Sequence, residues 1–161
     1  MKKIILISAV TLFSTGAYSG ECKDNSLKGQ YGYEVSGVNL VPLPGTTPGI
    51  RSTHVVGQAR FNGKGDFSIA GVGSAAGYVT GRTGSGLYTV DPETCTATGN
   101  VAWTIDGVLT GETSDVYIVL DQADGGHSDN RAYHASLLVT SKAPYSSSAS
   151  GTLTRFVGKF N

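Results

Sequence analysis

Apolar and polar side chains alternate along most of the chain, in short runs separated by glycine, proline, asparagine and aspartate. In residues 28–37, Tyr31, Tyr33 and Val35 fall on one side of an extended backbone, and the residues between them fall on the other. A period of two is typical of a β-strand with one buried face. The pattern therefore predicts strands rather than helices.

The same alternation recurs in further segments of the chain. These are residues 52–61, 66–69, 87–90, 96–106, 116–120, 132–141 and 150–160. Two dipeptides, Asn62-Gly63 and Asp106-Gly107, are typical of tight turns between antiparallel strands. This number and spacing of segments predict an all-β fold, a single antiparallel barrel of about eight strands, with a β-sandwich as the alternative.

Two segments interrupt the pattern. Residues 71–86 are rich in glycine, so we expect mainly turns there, with one weak strand near residues 77–82. Residues 38–51 contain three prolines beside several large apolar side chains, and we expect a long apolar loop. That loop either covers the mouth of the barrel as a lid or packs against the outside of the sheet.

The first residues have the organisation of a secretory signal peptide. Lys2 and Lys3 precede an apolar stretch, residues 4–13, that is too short to span a bilayer, and small residues precede Gly20. We therefore predict a signal peptide at residues 1–19 and a single β-barrel domain at residues 20–161. The mature chain is expected to be secreted or periplasmic and to have no membrane span.

The charge of the mature chain excludes some classes of partner. Removing Lys2 and Lys3 from the 12 basic residues leaves 10, against 12 acidic residues, so the net charge is −2. No cluster of lysine and arginine is present, and such clusters are what nucleic acids and anionic membranes require. An outer-membrane barrel is disfavoured because several strands carry glycine and threonine on both faces.

The mature chain contains two cysteines, Cys22 and Cys95. In an exported protein an even number of cysteines indicates a disulfide. A metal-binding or redox pair is the alternative, but the Cys-x-x-Cys spacing and a neighbouring histidine are both absent. We therefore predict a Cys22–Cys95 bridge.

Several short motifs resemble those of a group of small secreted proteins. A Leu-x-Gly-x-Tyr start lies at residues 27–31, a Phe-Asn-Gly-x-Gly hairpin at 61–65, a Gly-x-Tyr-Thr-Val strand at 86–90, and Cys-Thr-x-Thr at 95–98. Proteins of this group look like eight-stranded barrels akin to allene oxide cyclases and dirigent proteins. The resemblance covers about the first half of the mature chain and implies a barrel that holds an apolar small molecule. It carries over no catalytic residues.

Candidate ligand-binding residues follow from the chemistry that a cavity wall needs. Tyrosine and tryptophan combine an apolar body with a polar tip, a Glu–Arg pair would fix a polar group, and histidine can act as an acid or base. The candidates are Tyr31, Tyr33, Glu34, His54, Arg60, Trp103 and His134. For each of them a structural role, or a position outside the barrel, is the alternative.

Other recognisable sites are absent from the sequence. There is no Gly-x-Ser-x-Gly nucleophile motif, and the glycine run at residues 71–77 does not match a dinucleotide-binding fingerprint. The histidines have neither a His-x-His nor a His-x-x-x-His spacing, and the acidic segment at residues 121–131 matches neither the EF-hand loop nor the nonapeptide calcium repeat. We therefore expect neither a metal nor a cofactor.

Two functions from different classes remain. The first is an exported barrel that binds a small, mostly apolar molecule in its interior, with cyclase- or isomerase-like chemistry as a possible extension. The second is a disulfide-clamped module that interacts with another protein and has no catalysis. A pocket with converging polar groups would favour the first, and a large apolar patch outside would favour the second.

Overall fold

The computed structural model describes residues 22–41, 49–75, 77–121, 132, 134–141 and 147–156. A short 3₁₀ helix, Asp24–Leu27, precedes eight strands. The strands are β1 (Gly29–Val41), β2 (Gly49–Phe61), β3 (Asp66–Ala75), β4 (Tyr78–Asp91), β5 (Thr96–Ile105), β6 (Val108–Leu120), β7 (His134–Ser141) and β8 (Ser147–Arg155). The predicted signal peptide, residues 1–19, lies outside the described residues.

The eight strands form one closed antiparallel barrel. Each strand pairs with the next along the chain, and β8 closes the sheet by pairing with β1 from Tyr31 opposite Arg155 to Asn39 opposite Ser147. Closure leaves no sheet edge exposed along these paired residues. The predicted barrel is therefore confirmed, and the sandwich alternative is wrong.

The period of two in the sequence separates the inside of the barrel from the outside. On β1, Tyr31, Tyr33 and Val35 are buried, whereas Glu34 and Ser36 are exposed. The buried apolar side chains of all eight strands form a single core cluster. Hydrophobic burial on this inner face is the main driving force for closure.

The glycine-rich segment is more regular than its sequence predicts. β3 runs to Ala75 and β4 begins at Tyr78, so most of residues 71–86 belong to two long paired strands. Glycine is needed here for close packing: a Cβ at Gly84 would lie 2.7 Å from Cγ2 of Val101. Such glycines allow a strand to bend around a small barrel without a side-chain clash. The expected loop at residues 38–51 is also shorter, because β1 reaches Val41 and β2 begins at Gly49.

The two hairpin dipeptides behave differently. Asp106 and Gly107 both have positive φ, 48° and 81°, as a two-residue turn between β5 and β6 requires. Asn62 and Gly63 belong instead to a longer connection, residues 62–65. There the side chain of Asn62 accepts hydrogen bonds from the backbone N–H groups of Lys64 (2.7 Å) and Asp66 (3.1 Å).

The end of the barrel near the 3₁₀ helix is closed by aromatic packing. The rings of Tyr31, Phe61, Phe67 and Tyr88 contact one another, with centroid separations of 5.3 to 6.3 Å. The helix is joined to this cluster because Tyr88 donates a 2.9 Å hydrogen bond to the carbonyl oxygen of Asp24. This end of the interior is therefore filled by side chains.

A disulfide fastens the chain before β1 to the start of β5. Cys22 and Cys95 are bonded, with Cα atoms 5.3 Å apart and a sequence separation of 73. The predicted bridge is thus confirmed, and a pair of free metal-binding thiols is ruled out. A disulfide is consistent with an extracellular or periplasmic location.

Candidate functional site

The other part of the barrel interior encloses a cavity of about 70 Å³. All eight strands contribute to its wall, and most of the lining side chains are apolar. They are Tyr33, Val35, Asn39, Thr53, Val55, Ala59, Phe61, Phe67, Ile69, Arg82, Trp103, Glu112, Ser114, Val116, Ile118, Leu137, Val139, Ser147, Ala149 and Leu153. A concave, mostly apolar space with a few polar groups is typical of a small-molecule site.

The cavity changes character along the barrel axis. Phe61 and Phe67, which belong to the closed aromatic end, form its floor. At the opposite end the lining includes Asn39, Glu112 and Ser147, all of which are partly exposed to solvent. A bound molecule would thus meet an apolar floor and a polar rim.

A row of four residues crosses the wall between β1 and β4. Tyr33 lies opposite Gly57, Gly57 lies opposite Gly71, and Gly71 lies opposite Arg82. Because the two central residues have no side chain, the phenol of Tyr33 extends over them. A Cβ at Gly57 would lie 2.8 Å from its hydroxyl oxygen, and one at Gly71 would lie 2.5 Å from it.

The side chain of Arg82 lies over Gly73, where the absence of a Cβ leaves room for it. A Cβ at Gly73 would lie 3.1 Å from Nε of Arg82 and 3.4 Å from its Cδ. The arginine side chain therefore lies flat along β3 instead of leaving the barrel. Gly57, Gly71 and Gly73 together form a shallow bay, called here the glycine bay, that accommodates both polar groups.

The two polar groups over the glycine bay have no hydrogen-bond partner. Oη of Tyr33 and Nε of Arg82 are both shielded from solvent and unpaired among the described residues. Burial raises the pKa of Tyr33, and the positive charge of Arg82 opposes that rise. Unpaired buried polar atoms are rare and destabilising in folded proteins, so each requires an explanation.

Most other polar groups in the described wall are satisfied or reach the rim. The indole N–H of Trp103 donates a 2.8 Å hydrogen bond to Oγ of Ser114. The hydroxyl of Thr110 donates to the carbonyl oxygen of Trp103 at 3.3 Å, where the pairing of β5 with β6 is irregular. Trp103 is therefore held in a fixed orientation with one face toward the cavity.

Of the seven predicted site residues, the structure brings two to the cavity. Tyr33 and Trp103 line it. Tyr31 also faces inward but lies deeper, fully buried in the aromatic end, where its hydroxyl donates a 3.1 Å hydrogen bond to the carbonyl oxygen of Ala132. Its observed role is to close the barrel.

The remaining four residues, Glu34, His54, Arg60 and His134, lie on the outer surface and do not line the cavity. Nε2 of His54 is 3.5 Å from a carboxylate oxygen of Glu34, and Nδ1 of His54 is 2.7 Å from the hydroxyl of Ser36. These residues alternate with the buried face of their strands, so a closed barrel directs them to solvent. They are therefore left out of the interior site.

Arg82 and Glu112 are the two charged lining residues, and the predicted set omits both; Arg82 is the one that lies beside Tyr33. Arg82 is separated from Tyr88 and Val90 by an even number of residue steps, and both of these are buried on the same strand, so all three side chains face inward. The sequence hides this relationship, because Gly84 and Gly86 occupy the intervening inward positions and interrupt the apolar pattern. Only the continuous strand β4 places Arg82 on the inner face.

The described residues contain neither a metal-binding cluster nor a membrane-spanning helix. No group of three or more histidine, cysteine, aspartate or glutamate side chains is arranged there to hold a metal ion. No helix in that part of the chain is long and apolar enough to cross a membrane.

Comparison with known proteins gives one structural match. The chain is similar to a redesigned β-barrel, mFAP1, solved with DFHBI bound, with a TM-score of 0.47 and 16% sequence identity. The match covers 82% of this chain and 97% of that one. No family model and no curated protein matches the sequence. The barrel implied by the sequence resemblance is present, but no match supports kinship with allene oxide cyclases or dirigent proteins.

Proposed function

We propose that this protein is an exported barrel that binds a small, mostly apolar molecule in its interior. The proposal is carried by one observation: an apolar cavity whose wall contains two buried polar atoms, on Tyr33 and Arg82, without partners. A ligand that supplied the missing partners would offset the cost of burying these atoms. The disulfide and the signal-like N-terminal sequence support export.

The proposal is limited to binding. Cyclase- or isomerase-like chemistry requires groups positioned to move a proton at the ligand. Tyr33 and Glu112 are titratable lining residues, but neither makes a side-chain hydrogen bond to another lining residue of the described chain. No observation favours catalysis over retention of the ligand.

The cavity also weighs against the interaction-module alternative. Outward-facing apolar side chains do occur, as where Tyr117 lies opposite Leu138 and Val56 lies opposite Val72, but no unpaired buried polar atom of the described residues lies among them. The polar groups that lack partners lie inside the barrel, which favours a ligand there.

The binding test uses Trp103, the only tryptophan of the chain, as an internal reporter. The probe is 1-octanol, which is small, neutral and transparent at the excitation wavelength. We expect a saturable change in Trp103 emission on titration of the folded, oxidised protein. Native mass spectrometry of protein purified from its own cells would identify a retained natural ligand.

Two matched variants distinguish the interior from the surface. Ala149→Phe adds a ring to the cavity wall, and Ala70→Phe adds the same ring to the exposed face of β3. We expect Ala149→Phe to weaken 1-octanol binding by at least about tenfold and Ala70→Phe to leave it unchanged, because only the first occupies the cavity. Equal affinities in both folded variants would contradict the proposal.

A further inference from the structure

We propose that the ligand is an aliphatic carboxylate, whose head group is bound by Arg82 and Tyr33 while its tail points toward the Phe61–Phe67 floor. This inference rests on the proposed function and specifies the chemical class of the ligand. It follows from the donor character of the two unpaired groups, from the charged residues of the cavity lining and from the apolar floor of the cavity.

The two unpaired groups both supply donors to the same bay. Nε of Arg82 is a permanent N–H donor, and the Tyr33 hydroxyl donates when no stronger donor is offered to it. Both lie over the glycine bay, and the charge of Arg82 reaches the Tyr33 hydroxyl. A carboxylate offers these donors two acceptor oxygens and a negative charge, whereas a hydroxyl offers one uncharged oxygen and an ammonium group would add a second positive charge beside Arg82.

The charge inventory favours an anion. Arg82 and Glu112 are the charged residues of the described cavity lining. Among the described residues, no carboxylate oxygen lies within 4.0 Å of the Arg82 guanidinium. The contact between His54 and Glu34 is on the outer surface, away from the cavity. A partly buried arginine without a counterion is costly, and a ligand carboxylate would supply that counterion.

Glu112 helps to locate the head group. It lines the cavity at the partly exposed rim, where its negative charge would repel a carboxylate. The same charge has little effect on a neutral tail. The carboxylate is therefore expected at Arg82 and Tyr33, below the rim.

The floor of the cavity favours an apolar tail. Phe61 and Phe67 stack on each other there, and an aliphatic chain directed toward them would contact their rings.

The test compares octanoate with 1-octanol, which have the same chain length and differ in head group. Trp103 emission reports both titrations. We expect octanoate to bind wild-type protein about tenfold or more tightly than 1-octanol, the range for one or two charge-assisted hydrogen bonds. Equal affinities, or a preference for 1-octanol, would overturn the inference while leaving the proposed function intact. If neither probe bound saturably, the proposed function itself would fail.

Substitutions of Arg82 and Tyr33 test whether these two donors cause the preference for octanoate over 1-octanol. Arg82→Gln is expected to remove the preference for octanoate by weakening octanoate binding about tenfold or more, because the carboxylate loses its counterion. Arg60→Gln is the matched control, since it removes the same charge from the outer surface. If Arg60→Gln reduced the preference as much as Arg82→Gln, the effect would be one of net charge and the inference would be wrong.

Two further variants keep the test decisive if Arg82→Gln proves unstable. Arg82→Lys retains the positive charge and is expected to keep part of the octanoate preference. Tyr33→Phe retains the ring but removes the hydroxyl, and we expect a three- to tenfold loss in octanoate affinity. Unchanged octanoate affinity in Tyr33→Phe would exclude the tyrosine from the head-group site.

Discussion

The indole N–H of Trp103 donates a 2.8 Å hydrogen bond to the hydroxyl of Ser114, and both side chains lie buried in the cavity wall. The bond crosses from β5 to β6 at the point where the pairing of these strands is irregular. It fixes the orientation of the only tryptophan of the chain, which lines the cavity and can therefore report on the interior.

The first prediction concerns this bond. Ser114→Ala leaves the indole N–H buried and unpaired, so we expect the free energy of unfolding to fall by about 1–3 kcal/mol. Urea denaturation followed by far-UV circular dichroism measures the change. Ser68→Ala removes a hydroxyl from an exposed position on β3 and serves as the control. Equal midpoints for the two variants would show that the bond contributes nothing to stability.

A second prediction concerns closure of the aromatic end. Tyr31 is fully buried, and its hydroxyl bonds to the carbonyl oxygen of Ala132, 101 residues away in the chain. Tyr31→Phe preserves the ring packing and removes that bond, so it should lower the free energy of unfolding by about 0.5–1.5 kcal/mol. The matched change Tyr117→Phe, on the outer face, should have a smaller effect. A larger loss for Tyr117→Phe would argue against this role of Tyr31.

Stability should decrease at alkaline pH. Burial is the main cause that raises the pKa of both Tyr33 and Tyr88 above 10.0. Above that pH the unfolded tyrosines lose protons that the folded protein still holds, so the free energy of unfolding falls by up to about 1.4 kcal/mol per pH unit for each group. This stabilising contribution is fully present below pH 10 and is lost as the pH rises through the folded-state pKa.

The measurement is the slope of unfolding free energy against pH for wild type and Tyr33→Phe. Above pH 10 the variant should have the shallower slope, because one buried ionising group has been removed. At pH 7 to 8 the two slopes should agree, which provides the internal control. Identical slopes above pH 10 would mean that Tyr33 ionises as readily in the folded protein as in the unfolded one.

The disulfide should contribute strongly to stability. Cys22 and Cys95 close a loop of 73 residues, and chain-entropy models assign such a crosslink roughly 4 kcal/mol, with measured values typically 2–4 kcal/mol. We expect a reducing agent to lower the unfolding midpoint in urea accordingly. The double variant Cys22→Ser/Cys95→Ser should match the reduced protein and be insensitive to reductant. A reductant effect that persisted in the double variant would have another origin.

The outer polar residues should not affect interior binding. Glu34→Gln and His54→Asn alter an ion pair whose side chains are 66% and 48% exposed, so its energetic contribution is small. We expect both variants to bind 1-octanol within about twofold of wild type. A tenfold loss of 1-octanol affinity in either variant would mean that these outer residues take part in binding.

The strand pattern is the part of this protein that its sequence predicts best. Alternation at Tyr31, Tyr33 and Val35 needs no tertiary information, because side chains on an extended backbone face opposite sides in turn. The same holds for the turn at Asp106-Gly107, where the residue types tolerate positive φ. The pattern failed in residues 71–86, since glycine has no side chain with which to mark the inner face.

The interior site was only partly predictable. Tyr33 and Trp103 belong to the apolar face, so their inward orientation follows from alternation alone. Glu34, His54 and Arg60 occupy the alternate positions of their strands, which face solvent in the closed barrel. Chemical suitability for a site proved a weaker guide than parity with the buried neighbours.

The sequence by itself determined which residues form strands, which face of most strands is apolar and which cysteines pair, because these depend on local periodicity and on a single possible partner. Only the tertiary structure decided that Tyr33 and Arg82 share one bay, since this depends on the register of four strands across Gly57 and Gly71. Register is set by pairing between distant segments, and a shift of one residue would turn the arginine out to solvent.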